Sequence, residues 1–352
     1  MPKTGMEAGK PMNLKELARS LGLSPTTVSR ALNGYPDVSE ATRRRVAKAA
    51  RANDYRPNPR ARGLATGRAM AIGHVIPLAE RPELMNPIFA DFITGAGETY
   101  SEAGYDLLMS MVPRSRERAA YRELAARRAV DGLIVHAPEV NDPRIALLRE
   151  LGIPFVVHGR AGDDCASYSW VDVDNERAFA RATDHLADLG HLRIGLVNGM
   201  EVQDFAHRRR RGFEAAARAR GLQIDPDLMH SAEMSEAEGF GAAARMLALP
   251  RPPTAILAAS IATAIGVRRA IESAGLTMGR DVSVVAHDDM LGFLANGDAE
   301  PLFTATRSSV REAGRRAARM LMDIVSEPGG PPRSDLLTAE LTVGPSTGRR
   351  PS

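Results

Sequence analysis

The sequence predicts a small, basic, helical head followed by an α/β core of two similar subdomains on parallel sheets. Three observations carry that expectation. Residues 1–68 hold 14 Lys and Arg against 5 Asp and Glu, a charge of +9; the whole 352-residue chain carries +3, which leaves −6 beyond the head. Inside the head, two short amphipathic stretches flank a glycine turn. Past Arg68, apolar runs of strand length alternate with amphipathic stretches of helix length.

Composition narrows the classes. Hydrophobic residues make up 44% and charged residues 25%, ordinary for a globular chain. At about 100–200 residues per domain, the length fits two or three domains. A lone cysteine, Cys165, excludes an internal disulfide and a zinc site of clustered thiolates. No run of about 18 apolar residues reads as a membrane span. The stretch through Met12 is polar and unlike a secretory leader, so it reads as a flexible tail over 1–12 and the expected compartment is the cytoplasm. Only four lysines occur, all before residue 49, which reads as genomic base composition.

In the head (13–56), Leu14, Leu17, Ala18 and Leu21 recur at helical spacing between Asn13, an N-cap type, and Gly22, a stop. Ser24 can cap a second helix with Pro25 at its first position, where a missing N–H costs nothing. That helix turns Val28, Ala31 and Leu32 inward and leaves Thr26, Thr27, Ser29 and Arg30 outside. A third helix, Ser39 to about Asn53, buries Val46, Ala47 and Ala50. A helix-turn-helix enters the DNA major groove by its second helix. The plainer reading is a three-helix bundle with a solvated charged face; the spacing, the caps and the local +9 favour DNA.

Ser24-Pro25-Thr26-Thr27-Val28-Ser29-Arg30-Ala31-Leu32-Asn33-Gly34 resembles the lac-repressor (LacI/GalR) pattern, as does Tyr55-Arg56-Pro57-Asn58-Pro59-Arg60-Ala61-Arg62-Gly63-Leu64-Ala65-Thr66-Gly67-Arg68. The resemblance implies that Thr26 and Arg30 read bases, with Pro25, Thr27 and Ser29 also at the DNA and Thr27 and Ser29 on phosphates. It makes 57–69 a hinge helix that forms on the operator, with Asn58, Ala61 and Arg62 at the DNA and Leu64 wedged into the minor groove. Pro57, Pro59, Gly63 and Gly67 leave such a helix marginal without added contacts. On residue types alone, a plain linker remains open.

The core (70–348) is expected to run as follows. Strand Ala71–Pro77, helix 87–103 and strand Tyr105–Met111 lead to helix Arg116–Arg127 and strand Gly132–His136. Helix Arg144–Leu151 and strand Phe155–His158 complete the first set. The second set opens at Trp170-Val171-Asp172-Val173, with helix Asn175–Leu189, strand Arg193–Val197, helix Arg208–Ala219 and a short strand near Met229. Helix Ser235–Leu247, strand Ala255–Ala258, helix Thr263–Ala274, strand Val282–His287 and helix Val310–Val325 follow. The expected division is a first subdomain of about 70–169 plus 307–331 and a second of about 170–306 plus 332–348. Ligands in such sheets sit beyond the carboxyl ends of strands.

Asp131-Gly132-Leu133-Ile134, His185-Leu186 with Leu189-Gly190-His191, Arg209 with Gly212-Phe213, and His287-Asp288-Asp289 resemble the family's effector-binding core, itself similar to periplasmic sugar-binding proteins. The resemblance implies that Arg209 and Asp288 meet an effector across the cleft, a donor–acceptor pair suited to vicinal hydroxyls. Phe89 and Met234 would pack on it, and His158, Gly159 and Arg160 follow a strand where polar contacts lie. Ser260-Ile261 stands where many members carry Asn-Asp, which shortens one polar contact and removes another. The texture is most similar to sugar-responsive members, α-glucoside regulators among them. Residue types alone also allow any of Arg208–Arg211 to be solvated, Asp288 to be a strand-end cap, and Phe89 and Met234 to be core.

No nucleophile elbow, phosphate-binding Lys loop or full dinucleotide glycine motif occurs, and the eight histidines show no metal spacing. An enzyme, a cofactor and a metal are therefore not expected. No heptad tail follows, so a homodimer on a palindromic operator is expected. The expected function is a repressor released from DNA by a mono- or disaccharide. The alternatives are a corepressor-dependent regulator or activator on the same machinery, and a sugar-binding protein without DNA function.

Overall fold

The structure, a computed structural model, describes residues 12–32, 35–53, 55, 67–78, 87–297 and 300–351. The expected tail before Met12 and the hinge positions Asn58, Ala61, Arg62 and Leu64 lie outside the described residues. The chain divides into two compact units, 1–70 and 71–352.

The first unit is helical. Helix α1 (Leu14–Leu21) starts in a capping box: the Asn13 side chain accepts from Glu16 N, and the Glu16 carboxylate accepts from Asn13 N at 2.9 Å. It stops at Gly22, whose left-handed φ of 63° suits a residue without Cβ. Helix α2 (Pro25–Leu32) is capped by Ser24 Oγ, which accepts from Thr27 N at 3.0 Å. Helix α3 (Glu40–Ala52) is capped by Ser39. Leu17, Ala18, Leu21, Val28, Ala31, Val38, Val46 and Ala50 form one core. Ala47, expected inside, is only half-buried, because Val46 and Ala50 already fill that face.

The second unit holds two six-stranded sheets, ordered β11-β5-β4-β3-β1-β2 and β12-β10-β9-β8-β6-β7. The first takes β1 (Ala71–Leu78), β2 (Asp106–Pro113), β3 (Gly132–His136), β4 (Phe155–His158), β5 (Ser169–Val173) and β11 (Ser334–Leu337). The second takes β6 (Ile194–Asn198), β7 (Met229–Ser231), β8 (Ala255–Ala258), β9 (Ser283–Asp288), β10 (Thr304–Arg307) and β12 (Glu340–Thr342). Among the described residues, these strands pair in parallel except β10 with β12. Helices α4 (Pro87–Glu102), α5 (Glu117–Ala126), α6 (Pro143–Leu151) and α11 (Val310–Ser326) belong with the first sheet. Helices α7 (Asn175–Asp188), α8 (Asp204–Ala219), α9 (Glu236–Leu247) and α10 (Ile261–Ser273) belong with the second.

The chain passes from one sheet to the other three times: after Val173, after Arg307 and after Leu337. This corrects the expected division. Trp170–Val173 does not open the second lobe; it pairs with β4 and β11 in the first. Residues 334–337 also join the first sheet, and Arg307 ends a strand of the second. Sheet membership is settled by partners far along the chain, which local patterning does not record. Strands β10 to β12 went unread because they are short and carry Thr, Arg, Ser, Asp and Glu. Helix α8 starts one turn before the expected Arg208.

Three helix pairs meet backbone to backbone through glycine. A Cβ on Gly95 of α4 would collide with Arg311 O of α11, and one on Gly314 with Phe92 O. Gly212 faces Glu176 O between α8 and α7, while Gly239 and Gly266 join α9 to α10. Phe92, Ala96, Tyr100, Ala313, Ala317 and Leu321 pack around the first of these contacts. A Cβ on Gly97, on the same helix as Gly95, would meet nothing within 4 Å among the described residues beyond the helix itself. The two therefore respond oppositely to one substitution. Gly97→Ala gains helix propensity, about 0.5–1 kcal/mol. Gly95→Ala adds overpacking of about 1–3 kcal/mol. Thermal melts are expected to rise slightly for Gly97→Ala and fall by several degrees for Gly95→Ala, at roughly 2–4 °C per kcal/mol. A Gly95→Ala melt at or above wild type contradicts the close contact.

Candidate functional site

In the first unit, α2 presents Pro25, Thr26 and Arg30 to solvent, with Thr27 and Ser29 half-buried beside them. Thr27 Oγ1 shares a hydrogen bond with Ser24 Oγ at 2.8 Å, so it is held against the cap. Arg30 lies 3.0 Å from Asp37, both about half exposed, with its guanidinium 5.3 Å from the centre of the Tyr35 ring. Such a pair is worth up to about 1 kcal/mol. It pre-orients Arg30 and still yields it to a stronger acceptor.

In the second unit, the carboxyl ends of the two sheets face a small cavity of about 30 Å³ between the lobes. Ile88 and Leu291 border it together with Met234, Ser260, Ile261 and Asp289. Beside it lies Arg209, 4% exposed. Its Nε donates to Asn175 Oδ1 at 2.7 Å and its Nη1 to Ala259 O at 2.8 Å, with Met234 Sδ 3.8 Å away. Phe179 and Phe205 flank the guanidinium at 5.1 and 4.8 Å. Burial pulls the Arg209 pKa down to about 10, and the fields of Asp289 and Asp172 oppose that. It stays charged at neutral pH.

The first lobe adds a nest of histidines. His136 and His158 end adjacent parallel strands and stand side by side in register. His74 Nδ1 lies 3.0 Å from His136 Nε2, and its Nε2 3.1 Å from Tyr100 Oη. His158 stacks on Phe92 at 4.1 Å, and Phe89 meets His136 edge-on at 5.2 Å. The Nδ1 atoms of His136 and His158 are buried without a hydrogen-bond partner among the described residues. Burial pulls the His158 pKa down to about 4 against the field of Asp289. Burial, then the field of His158, pulls His74 to about 3. Burial, then the fields of His74 and His158, also holds His136 well below its usual value, so all three rings are neutral at neutral pH. Burial pushes the Asp289 carboxyl up, but His287, Arg209 and His158 outweigh it and hold the pKa below its usual value.

Two of the expected effector residues stand elsewhere. Asp288 accepts from Met290 N at 2.8 Å and from Arg307 Nε at 3.0 Å, so it locks the end of β9 to β10; Asp289 is the carboxylate at the cavity. Arg160 donates to Asp172 at 2.7 Å, lies 5.1 Å from the Trp170 ring centre, and lines a separate surface pocket with Arg177 and Arg208. Met234 and Ser260 line the cavity, Arg209 touches Met234, His158 lies within the field of Asp289, and Phe89 packs against His136. Ser260 also caps α10, accepting from Thr263 N at 3.1 Å. Asn175, Asp289, His74 and His136 were not singled out. The doublet Asp288-Asp289 carried the signal for Asp289, and two strands each ending in His carried it for His136.

A model of bacterial regulatory proteins of the lacI family matches residues 13–58, and one of a periplasmic binding protein-like domain matches 183–347. The chain is 44% identical over 341 residues to the HTH-type transcriptional regulator AglR of Rhizobium meliloti (strain 1021), covering 97% of this chain and 96% of that one. It is 34% identical to the HTH-type transcriptional regulator RafR of Escherichia coli, covering 93% and 95%. Among solved structures, the lac repressor dimer bound to operator and the anti-inducer ONPF is similar with a TM-score of 0.81 at 26% identity, covering 96% of this chain and all of that one. A transcriptional regulator CelR–cellobiose complex is similar with a TM-score of 0.71 at 27% identity, covering 95% and 99%. The capped α2 with its exposed Thr26 and Arg30, joined to a two-lobed core, and these similarities together lead to one conclusion: the chain belongs to the lacI family and is a helix-turn-helix, DNA-binding transcriptional regulator.

Proposed function

We propose that this regulator is a repressor in the cytoplasm, that it binds a palindromic operator as a homodimer, and that a neutral mono- or disaccharide between the core lobes releases it. The observation that carries the effector reading is Arg209, a buried guanidinium at the edge of the cavity, beside Asp289 and a wall of neutral histidines. One cation and one anion balance each other there. Hydroxyls can accept from Arg209, donate to Asp289, and use the orphaned histidine nitrogens. A sugar acid or phosphate adds charge that this balance does not meet. The similarity to a cellobiose complex and to an operator-bound dimer supports the ligand class and the dimer.

A cavity of about 30 Å³ holds on the order of one water. A sugar therefore enters only as the lobes part, and it favours whichever lobe arrangement it fits better. In the head, Thr26 and Arg30 read bases while Thr27 and Ser29 meet phosphates and Pro25 also lies at the DNA; the hinge, with Asn58, Ala61, Arg62 and Leu64, bends the site. The test is fluorescence anisotropy of a labelled palindromic duplex, selected from a random pool, against a panel of neutral and charged sugars at fixed salt. Release by a neutral sugar supports the reading. Tighter DNA binding with sugar means a corepressor, and release only by a charged sugar refutes the neutral site.

Arg30→Ala is expected to cost about 1–3 kcal/mol of operator affinity in that assay, with much less effect on a random duplex. Arg209→Lys keeps the charge and loses the planar fork. Titration calorimetry is expected to show sugar binding weakened by about 10–100-fold, with operator binding in the absence of sugar retained. The histidines also fix a pH dependence. They are neutral when folded, whereas in the unfolded chain each binds a proton below about pH 6.5. Stability is thus complete above that pH and falls as pH drops from about 6.5 toward the folded value of about 4 for His158, at roughly 1.4 kcal/mol per unit per histidine. Melts from pH 8 to 4 follow this, and His74→Phe is expected to flatten the slope.

A further inference from the structure

Helix α8 is built into the second lobe, yet its first turn is gripped by two loops of the first. From the loop after β4, Gly162 N donates to Asp204 Oδ1 at 2.9 Å. Arg208 Nε donates to Asp204 Oδ2 at 2.5 Å, and Arg208 Nη2 donates to Gly162 O. Arg211 Nη1 adds Asp163 Oδ1 at 2.9 Å. From the loop after β3, Pro138 O accepts from Asp204 N at 2.9 Å and Val140 N donates to Val202 O at 3.2 Å. Asp204 and Arg208 are 1% and 5% exposed, so this charged pair is largely shielded from water and its hydrogen bonds count for more than surface ones.

Both first-lobe loops are themselves braced. Arg144, buried, ties the 136–142 loop through His136 O and Ala137 O while pairing with Asp142 and Glu117. Tyr168 Oη accepts from Ala161 N at 2.8 Å in the other loop. Gly162 has φ +72°, and a Cβ there would stand 2.9 Å from Val140 O. The glycine thus lets the two loops approach each other as they close on α8. One residue beyond Arg208 on the same helix is Arg209, whose side chain serves the cavity.

We propose that the grip of Gly162 and Pro138 on Asp204 and Arg208 is the clasp that holds the two core lobes together. The clasp lies outside the cavity and does not depend on which ligand the cavity takes.

Three backbone amides cross between the lobes here: Val140, Gly162 and Asp204. If the clasp holds the lobes, they open together. The experiment is hydrogen exchange read by mass spectrometry on the full chain without ligand, in peptides holding each amide. Asp204→Asn keeps the acceptor for Gly162 and turns an amide toward Arg208. All three peptides are expected to exchange roughly ten-fold faster, with amides inside β3 and β8 unchanged. Gly162→Ala loosens the clasp from the first lobe by strain alone and is expected to speed the same three; it carries the test if Asp204→Asn does not fold. Emission of the sole tryptophan, Trp170, whose Nε1 donates to Cys165 O in the gripping loop, is expected to shift red in both. Faster exchange confined to the Gly162 peptide, with Val140 unchanged, overturns the proposal, because the contact is then local.

Discussion

The core is arranged around a guanidinium that has been taken out of water. Arg209 needs acceptors and a polarisable lining wherever it is buried, since an isolated charge in such a place is strongly disfavoured. Asn175 supplies one acceptor from the cap turn of α7, and Ala259 O supplies another from the end of β8. Phe179 and Phe205 turn their rings toward the cation from α7 and α8. Meeting those demands fixes how α7, α8 and β8 sit together. The contact of Gly212 with Glu176 O then brings α7 and α8 close enough to do it.

The run Arg208–Arg211 shows what a helix does to identical neighbours. Each successive residue turns by about 100°. Arg208 faces the first lobe, Arg209 the cavity, Arg210 the carboxylates of Glu201 and Glu214, and Arg211 those of Asp163 and Glu176. Four like charges in sequence become four separate tasks, and none repels the next without a carboxylate, carbonyl or aromatic face in compensation.

Local structure was legible because local rules govern it. Asn13, Ser24 and Ser39 cap as their types suggest, and the strands through His136, His158 and Ala258 fall where apolar runs predict. What stayed hidden was long-range. Nothing within Trp170–Val173 says which sheet it joins, and three-residue or four-residue polar strands look like loops. The site divides in the same way. Arg209, Met234 and Ser260 were marked out only by the resemblance to the family, because their residue types alone allow a solvated arginine, a core methionine and a helix cap. Asp288 and Asp289 are adjacent carboxylates, and only the pairing of β9 with β10, which delivers Arg307 to Asp288, decides which one is left for the cavity.

The three passages between the sheets bear on how the chain emerges from the ribosome. The first sheet needs α11 and, last, β11, which arrives roughly 160 residues after its neighbour β5. At about 5–20 residues per second, β5 waits on the order of ten to thirty seconds with one edge uncovered. Over that interval its unpaired backbone is open to any other extended segment, including the same strand on a neighbouring nascent chain. Neither lobe can therefore finish as an independent vectorial unit, and a chaperone that shields a sheet edge would have its longest task at Ser169–Val173.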